Sequence, residues 1–150
     1  MDLPGVLTFL ALLVPGFTAC AEFGSYAFVH PVIRRLPLEH HVAVEQGLVR
    51  TFGRFMPVAM PVSLVAVIAW ASSEARLVPW LAVGAWGLGL VTTVIVNVGI
   101  NVRTARTDAG TVEQQRWRDM RRRWEFFQGF RSWAFLASFA LICLSVAFGW

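Results

Sequence analysis

Four long apolar blocks constrain the fold of this chain more than any other feature of its sequence. They lie at residues 5–29, 55–71, 77–100 and 132–150. A helix that spans a bilayer needs about 20 mostly apolar residues, and the shorter second block, of about 17, is still within the usual range. Only 15% of the residues are charged, whereas a soluble domain carries about 25%. We therefore predict an integral membrane protein.

Two amphipathic segments extend the apolar blocks. Residues 38–54 place apolar side chains and Glu45 along one helical stripe, and this segment continues into the second block. Residues 111–131 continue into the fourth block in the same way. The pattern predicts an all-α fold, a bundle of four transmembrane helices with amphipathic helical extensions on the cytoplasmic side. We expect a single domain, 1–150, with helices at roughly 5–29, 38–71, 77–101 and 112–150.

The basic residues indicate the orientation in the membrane. All 13 of them are arginine; four lie in 31–54, eight in 101–131, and the remaining one is Arg76. Because cytoplasmic connections are enriched in positive charge, the two long connections are predicted to be cytoplasmic and both termini outside, in a multi-pass protein of the cell membrane. Arg121, Arg122 and Arg123 are expected to contact anionic lipid head groups rather than nucleic acid.

The first apolar block contains an acidic residue. Glu22, Tyr26 and His30 are four residues apart and therefore form one stripe on a helix. An ionisable residue inside the membrane is costly and is a functional candidate by default. The alternative is structural: Glu22 could be the counter-ion of an arginine such as Arg122 or Arg131.

Two further polar pairs have helical spacing, His41 with Glu45 and Asn97 with Asn101. All these polar groups fall in the half of the bundle predicted to be cytoplasmic, which indicates one polar cavity. The structural alternatives are a surface pair for His41 and Glu45, interhelical hydrogen bonds for the two asparagines, and a helix-capping or head-group role for His30.

Four segments carry a resemblance to a known family. They are FVHPVIRRLP at 28–37, FGRFMPVAMP at 52–61, NVGIN at 97–101 and RWRDMRRRWEFFQGFRSW at 116–133. With these landmarks the chain resembles the small four-helix membrane proteins that include the anthrone oxygenases of polyketide pathways. The resemblance implies a compact four-helix bundle and, for the characterised members, insertion of oxygen into an activated aromatic carbon without a flavin or haem motif.

The resemblance also implies a pocket made by the polar residues above. Tyr26 and His30 are expected to contact the substrate. The pocket would be lined by Glu22, His41, Glu45, Asn97 and Asn101 and covered by Trp117, Trp124 and Arg131.

These observations favour a membrane oxygenase or related oxidoreductase whose apolar, aromatic substrate enters from the bilayer. Glu22 or His41 could act as the base that removes an acidic C–H proton, after which the carbanion can react with oxygen directly. If a metal takes part, Glu22, His41 and Glu45 would be the ligands, because imidazole and carboxylates suit iron, copper or zinc. A reaction without any cofactor stays open.

The alternative function is non-catalytic: a transporter subunit, an accessory protein or a lipid-binding assembly factor. It is favoured by the small size of the bundle, because four short helices leave little room for a large pocket. The substrate, the metal and the formation of a homo-oligomer are left open by the sequence.

Overall fold

The computed structural model describes residues 2–149, and these residues form four long helices and no strand. Each helix is long and apolar enough to cross a membrane. The predicted all-α, four-helix membrane fold is therefore confirmed. The helices are α1 (Leu3–Ile33), α2 (Leu38–Ser72), α3 (Leu77–Ala105) and α4 (Gln114–Phe148).

The amphipathic extensions are continuous with the apolar spans. Helices α2 and α4 each have 35 residues, and α2 continues through Pro57 and Pro61. Helix α1 ends at Ile33 rather than at 29, and α3 ends at Ala105 rather than at 101. The predicted end of the fourth helix, residue 150, lies outside the described residues.

Local sequence explains two helix ends. Asp2 caps α1, since its Oδ1 accepts a hydrogen bond from the Gly5 backbone N–H at 3.3 Å, and Pro4 follows in the first turn. Helix α4 ends at Gly149, which has a φ of 69°. This left-handed conformation favours glycine, the residue that most often ends helices in this way.

Two π-helical turns interrupt the α-helical geometry of α1 and α3. They are Ser25–Val29 in α1 and Thr93–Asn97 in α3. A π-helical turn places one extra residue in a helix and is frequently found at functional sites. The short segments that follow, His30–Ile33 and Val98–Ala105, are thereby rotated relative to the helix that precedes them.

Two apolar clusters hold the four helices together. In the first, the Trp86 indole N–H donates to the Met60 carbonyl at 3.0 Å, which joins α3 to α2. In the second, the Ser138 hydroxyl donates to the Ala82 carbonyl at 2.7 Å, which joins α4 to α3. The clusters consist of Ala19, Met56, Ala59, Met60, Trp86 and Phe135, and of Ala11, Val67, Trp70, Ala82 and Ile142.

Three glycines let α4 approach its neighbours closely, and one of them is Gly16 of α1, where a Cβ atom would lie 2.7 Å from the Phe139 ring. A Cβ atom on Gly89 of α3 would lie 2.6 Å from the Phe135 ring. A Cβ atom on Gly129 of α4 would lie 2.8 Å from the Tyr26 ring of α1. Atoms this close would overlap, so only glycine permits this spacing, which brings the middle of α4 against α1 and α3.

Candidate functional site

A cavity of about 450 Å³ lies between the helices at the level of the two π-helical turns. Ser25 and Thr93, one from each turn, line it. Buried polar side chains form one side of the cavity, and they come from α1, α2 and α4. They are Glu22, His30, Glu45, Gln128 and Arg131.

The rest of the cavity lining comes mainly from α2 and α3 and is mostly apolar. Several of its residues are also exposed on the outside of the bundle: Val94 by 62%, Val98 by 47% and Val102 by 46%. On α2, Gly53 and Pro57 are likewise exposed. The cavity therefore reaches the outer surface between α2 and α3, in apolar stretches that face lipid.

The first polar cluster is centred on Glu22. Its Oε2 accepts hydrogen bonds from Arg131 Nη2 and from Gln128 Nε2, both at 2.8 Å. Arg131 Nη1 donates to Thr93 Oγ1 at 3.2 Å, and Ser132 Oγ donates to the Glu22 backbone carbonyl at 3.4 Å. Glu22 Oε1 is buried and has no hydrogen-bond partner within residues 2–149. One carboxylate oxygen is thus held firmly, and the other is available.

The second polar cluster is centred on Glu45. Its Oε1 lies 3.4 Å from His30 Nδ1 and 3.5 Å from His41 Nε2, and its Oε2 lies 2.6 Å from Arg121 Nη2. Arg121 Nη1 also donates to Thr104 Oγ1 at 3.4 Å. All five side chains are buried. The cluster joins α1, α2, α3 and α4 through one carboxylate.

Two tryptophans of α4 pack against this second cluster. The Trp124 ring centroid lies 4.8 Å from that of His30 and 4.1 Å from the Arg121 guanidinium carbon. The Trp117 ring centroid lies 5.5 Å from that of His41. An arginine over an aromatic face gains a cation–π attraction, so the tryptophans fix the position of Arg121.

The structure divides the residues predicted at the site. Glu22, His30, Glu45, Asn101, Trp124 and Arg131 line the cavity. His41 and Trp117 instead line a second, smaller pocket. Glu22 contacts Arg131 and Gln128, whereas His41 contacts Glu45, so the two predicted bases belong to different clusters.

Asn97 and Tyr26 make contacts between helices instead of lining the cavity. Asn97 is fully buried, and its Nδ2 donates to the Trp124 carbonyl at 3.4 Å. The Tyr26 ring packs against Gly129 and lies 6.3 Å from the Phe23 ring, between centroids. Neither residue lines the cavity. The interhelical hydrogen bond considered for Asn97 is present.

The prediction that Arg121 contacts lipid head groups is wrong. It is only 2% exposed and forms the ion pair with Glu45, whereas Arg122 and Arg123 are exposed. Helical spacing could have predicted this burial, because Arg121 lies four residues after Trp117 and three before Trp124 and therefore shares their inward face of α4.

Sequence reasoning also missed three uncharged partners in these clusters. Gln128 is one helical turn from both Trp124 and Arg131 and therefore shares their face. Thr93 and Thr104 bind the two buried arginines, and no pattern in the sequence distinguishes them from other threonines.

A metal ion does not fit these clusters. Within residues 2–149 no group of three or more histidine, cysteine or acidic side chains is arranged to hold one. Each carboxylate is already paired with an arginine, Glu22 with Arg131 and Glu45 with Arg121. A metal cation would have to compete with these guanidinium groups for the carboxylates.

Comparison with known families decides the relationship of the chain. The anthrone oxygenase family matches residues 48–141. The chain belongs to this family. The anthrone oxygenase match includes three of the four resembling segments and the residues Arg121, Gln128 and Arg131. The segment at 28–37 precedes the match. So do four residues of the two polar clusters: Glu22, His30, His41 and Glu45. No curated protein and no solved structure gives a significant match.

Proposed function

We propose that this member of the anthrone oxygenase family is a membrane oxygenase that introduces oxygen at an activated carbon of an apolar, aromatic substrate. One observation carries the proposal. Glu22, a buried carboxylate with one oxygen that has no hydrogen-bond partner within residues 2–149, lines a cavity that is mostly apolar away from the two polar clusters. A base in such a place is suited to removing a proton from a carbon acid that water dissolves poorly.

The cavity suits a polycyclic aromatic molecule. Its volume of about 450 Å³ lies within the range of about 300–1,000 Å³ that is usual for small-molecule sites. The opening between α2 and α3 faces the lipid, so a substrate dissolved in the bilayer would enter without crossing water. Trp124 also lines the cavity, so part of its ring can contact an aromatic substrate.

The reaction proceeds through a carbanion. Glu22 Oε1 takes a proton from the acidic methylene carbon, and the electron pair of that C–H bond stays on the substrate and spreads to its ring carbonyl oxygen. The carbanion transfers its electrons to dioxygen and forms a C–O bond, and the peroxide oxygen takes up a proton. The group that protonated the peroxide then removes the remaining proton of this carbon, the O–O bond breaks as the C=O bond forms, and the leaving hydroxide takes the proton held by Glu22, so CH₂ and O₂ yield C=O and H₂O.

Arg131 and Gln128 prepare Glu22 for this role. Their hydrogen bonds to Oε2 fix the orientation of the carboxylate. Arg131 Nε is buried and has no hydrogen-bond partner within residues 2–149, so this N–H is a donor available to the negative charge on the substrate oxygen. Electrostatic stabilisation of this kind is usually the largest single contribution to catalysis.

The Glu45 cluster supplies the second proton transfer. His30 lines the cavity with its Nδ1 towards Glu45, and we assign it delivery of the proton to the peroxide. His41 lies on the far side of Glu45 and acts as a positioning residue. Asn101 Oδ1, buried without a protein partner in the described chain, would accept a hydrogen bond from a substrate hydroxyl.

The test is oxidation of a hydroxylated anthrone by the purified protein in lipid nanodiscs under ¹⁸O₂. We expect a quinone that contains one ¹⁸O atom, formed faster than in empty nanodiscs, where anthrones oxidise slowly by themselves. Replacing Glu22 by glutamine should lower the rate by roughly 10²–10⁴-fold, the usual contribution of a general base. Oxidation no faster than in empty nanodiscs would support the non-catalytic alternative.

A second variant separates catalysis from folding. Glu22→Gln removes the counter-ion of a buried arginine and therefore also weakens the fold. Glu22→Asp keeps the charge but withdraws the carboxylate by one methylene group, so we expect a folded protein with a reduced rate. Glu39→Gln, on the exposed face of α2, is the control and should oxidise the substrate at the normal rate. Full activity of both Glu22 variants would contradict the role of Glu22 as base.

A further inference from the structure

A second pocket, of about 250 Å³, lies at the polar end of the bundle. One wall is the connection between α1 and α2, which contributes Arg34 and Leu36. The other wall is the first part of α4, whose contributing residues recur every three or four positions and so share one face. They are Gln114, Trp117, Arg118, Arg121, Arg122 and Glu125.

Two of the arginines in this pocket have their charge compensated within the protein. Arg34 Nη1 lies 3.4 Å from Glu125 Oε2, and Arg121 Nη2 lies 2.6 Å from Glu45 Oε2. Among the described residues, Glu125 is the one carboxylate that lines the pocket, and it is paired with Arg34. These pairs leave no acidic side chain for the remaining cations.

Arg118 and Arg122 are the uncompensated cations. Both are exposed and line the pocket, and neither forms an ion pair within 4.0 Å with any residue of 2–149. They are four residues apart on one helix, a spacing at which like charges repel. An anion between them would relieve this repulsion.

The chemistry of the pocket favours an anion that accepts several hydrogen bonds. Arginine presents a planar set of N–H donors that matches phosphate and carboxylate groups. Trp117 adds an indole N–H that is buried and has no hydrogen-bond partner among the described residues. We propose that this pocket binds the phosphate group of an anionic ligand.

The position of the pocket favours a phospholipid as the source of that phosphate. The pocket lies where α1 ends and α4 has not yet entered its apolar stretch, which is the depth of a lipid head group. Apolar surface follows directly: Val32, two residues before Arg34, is 64% exposed, and Phe126, next to Glu125, is 72% exposed. Acyl chains can lie along this surface. Free inorganic phosphate offers the same chemistry without these contacts.

The experiment compares retention of lipids by the purified full-length protein, measured by native mass spectrometry from detergent. We expect phosphatidylglycerol to be retained and phosphatidylcholine to be lost, because the choline cation would face two arginines. Arg118→Gln combined with Arg122→Gln should lower the retained fraction of phosphatidylglycerol at least tenfold. Both residues are exposed, so the fold should be kept, and a thermal melt of each variant verifies this.

A matched control excludes a general effect of positive charge. Arg116→Gln combined with Arg123→Gln removes the same charge from exposed positions of α4 that do not line the pocket, and it should retain phosphatidylglycerol as the native protein does. Equal loss in the two double variants, or equal retention of both lipids, would overturn the proposal.

A second experiment uses inorganic phosphate as the ligand. If millimolar phosphate raises the melting temperature of the native protein but not of the Arg118/Arg122 variant, and no lipid is retained, the pocket is a phosphate site whose source is the aqueous phase. If neither lipid nor phosphate distinguishes the two proteins, the proposal is wrong.

Discussion

Each of the two carboxylates that line the cavity lies against one buried arginine, Glu22 against Arg131 and Glu45 against Arg121. A single buried charge is strongly unfavourable, whereas a paired and hydrogen-bonded charge is tolerated. Both arginines come from α4, so this helix supplies the compensation for acidic residues of α1 and α2. The pairs fix the relative position of these three helices around the cavity.

Replacing Arg121 by methionine should therefore destabilise the protein far more than its modest change in volume suggests. Glu45 would remain buried without its main counter-charge, a situation that costs about 3–5 kcal/mol. Adding Glu45→Gln to the same chain should restore part of the loss. Unfolding in detergent, followed by loss of helical circular dichroism, measures both effects.

Arg123→Met is the matched control, because Arg123 is an exposed neighbour on the same helix, and it should change the stability by less than about 0.5 kcal/mol. If Arg121→Met and Arg123→Met melted alike, the ion pair with Glu45 would have no role in stability.

At the scale of elements, close approach between helices determines where the cavity lies. Helices α3 and α4 meet at Gly89, over which the Phe135 ring packs. Below this contact the π-helical turn Thr93–Asn97 begins, and Thr93 lines the cavity and binds Arg131. The glycine contact and the altered turn together set the spacing at which Arg131 reaches Glu22.

Gly89→Val should force α3 and α4 apart, since the added Cβ would lie 2.6 Å from the Phe135 ring. Overpacking of this kind costs about 1–3 kcal/mol, and a thermal melt in detergent measures it. Gly84→Val is the control on the same helix, because a Cβ there would meet no atom within 4 Å. Equal melting of the two variants would show that α3 and α4 do not pack as described.

At the scale of the whole molecule, the polar groups collect at one end of a multi-pass bundle. Both polar clusters, the second pocket and 12 of the 13 arginines belong to the half that contains the 31–54 and 101–131 connections. The opposite half is built mainly from apolar contacts and a few hydroxyl hydrogen bonds, together with the ion pair between Arg76 and Glu74. This asymmetry gives the molecule two chemically different faces towards the two sides of the membrane.

We predict that this arginine-rich end faces the cytoplasm, because positive charge is retained on that side during insertion. A reporter enzyme that is active only after export should be active when fused after residue 150. The same reporter inserted in the connection between α3 and α4 should be inactive, which provides the internal control. The reverse pattern would show that both termini are cytoplasmic.

Several features were decided by the local sequence. The number of helices and their membrane-spanning character follow from the length of the apolar blocks, which is a property of each segment alone. The local sequence also identified Glu22 as a candidate site residue, because an acidic residue inside an apolar block is unusual wherever its partners lie. Of the residues that the family resemblance implied on α4, Trp124 and Arg131 line the cavity; they are seven residues apart and therefore share one face of the helix.

The partners of these residues were decided only by the tertiary structure. Sequence spacing shows which residues share a face of one helix, but not how that face is rotated towards its neighbours. The two π-helical turns change the direction in which the following residues of α1 and α3 face. No pattern in the sequence predicts these turns. Glu45 joins His30 and Arg121 rather than Glu22, and only the tertiary structure could decide this, because Glu45, His30 and Arg121 lie on three different helices.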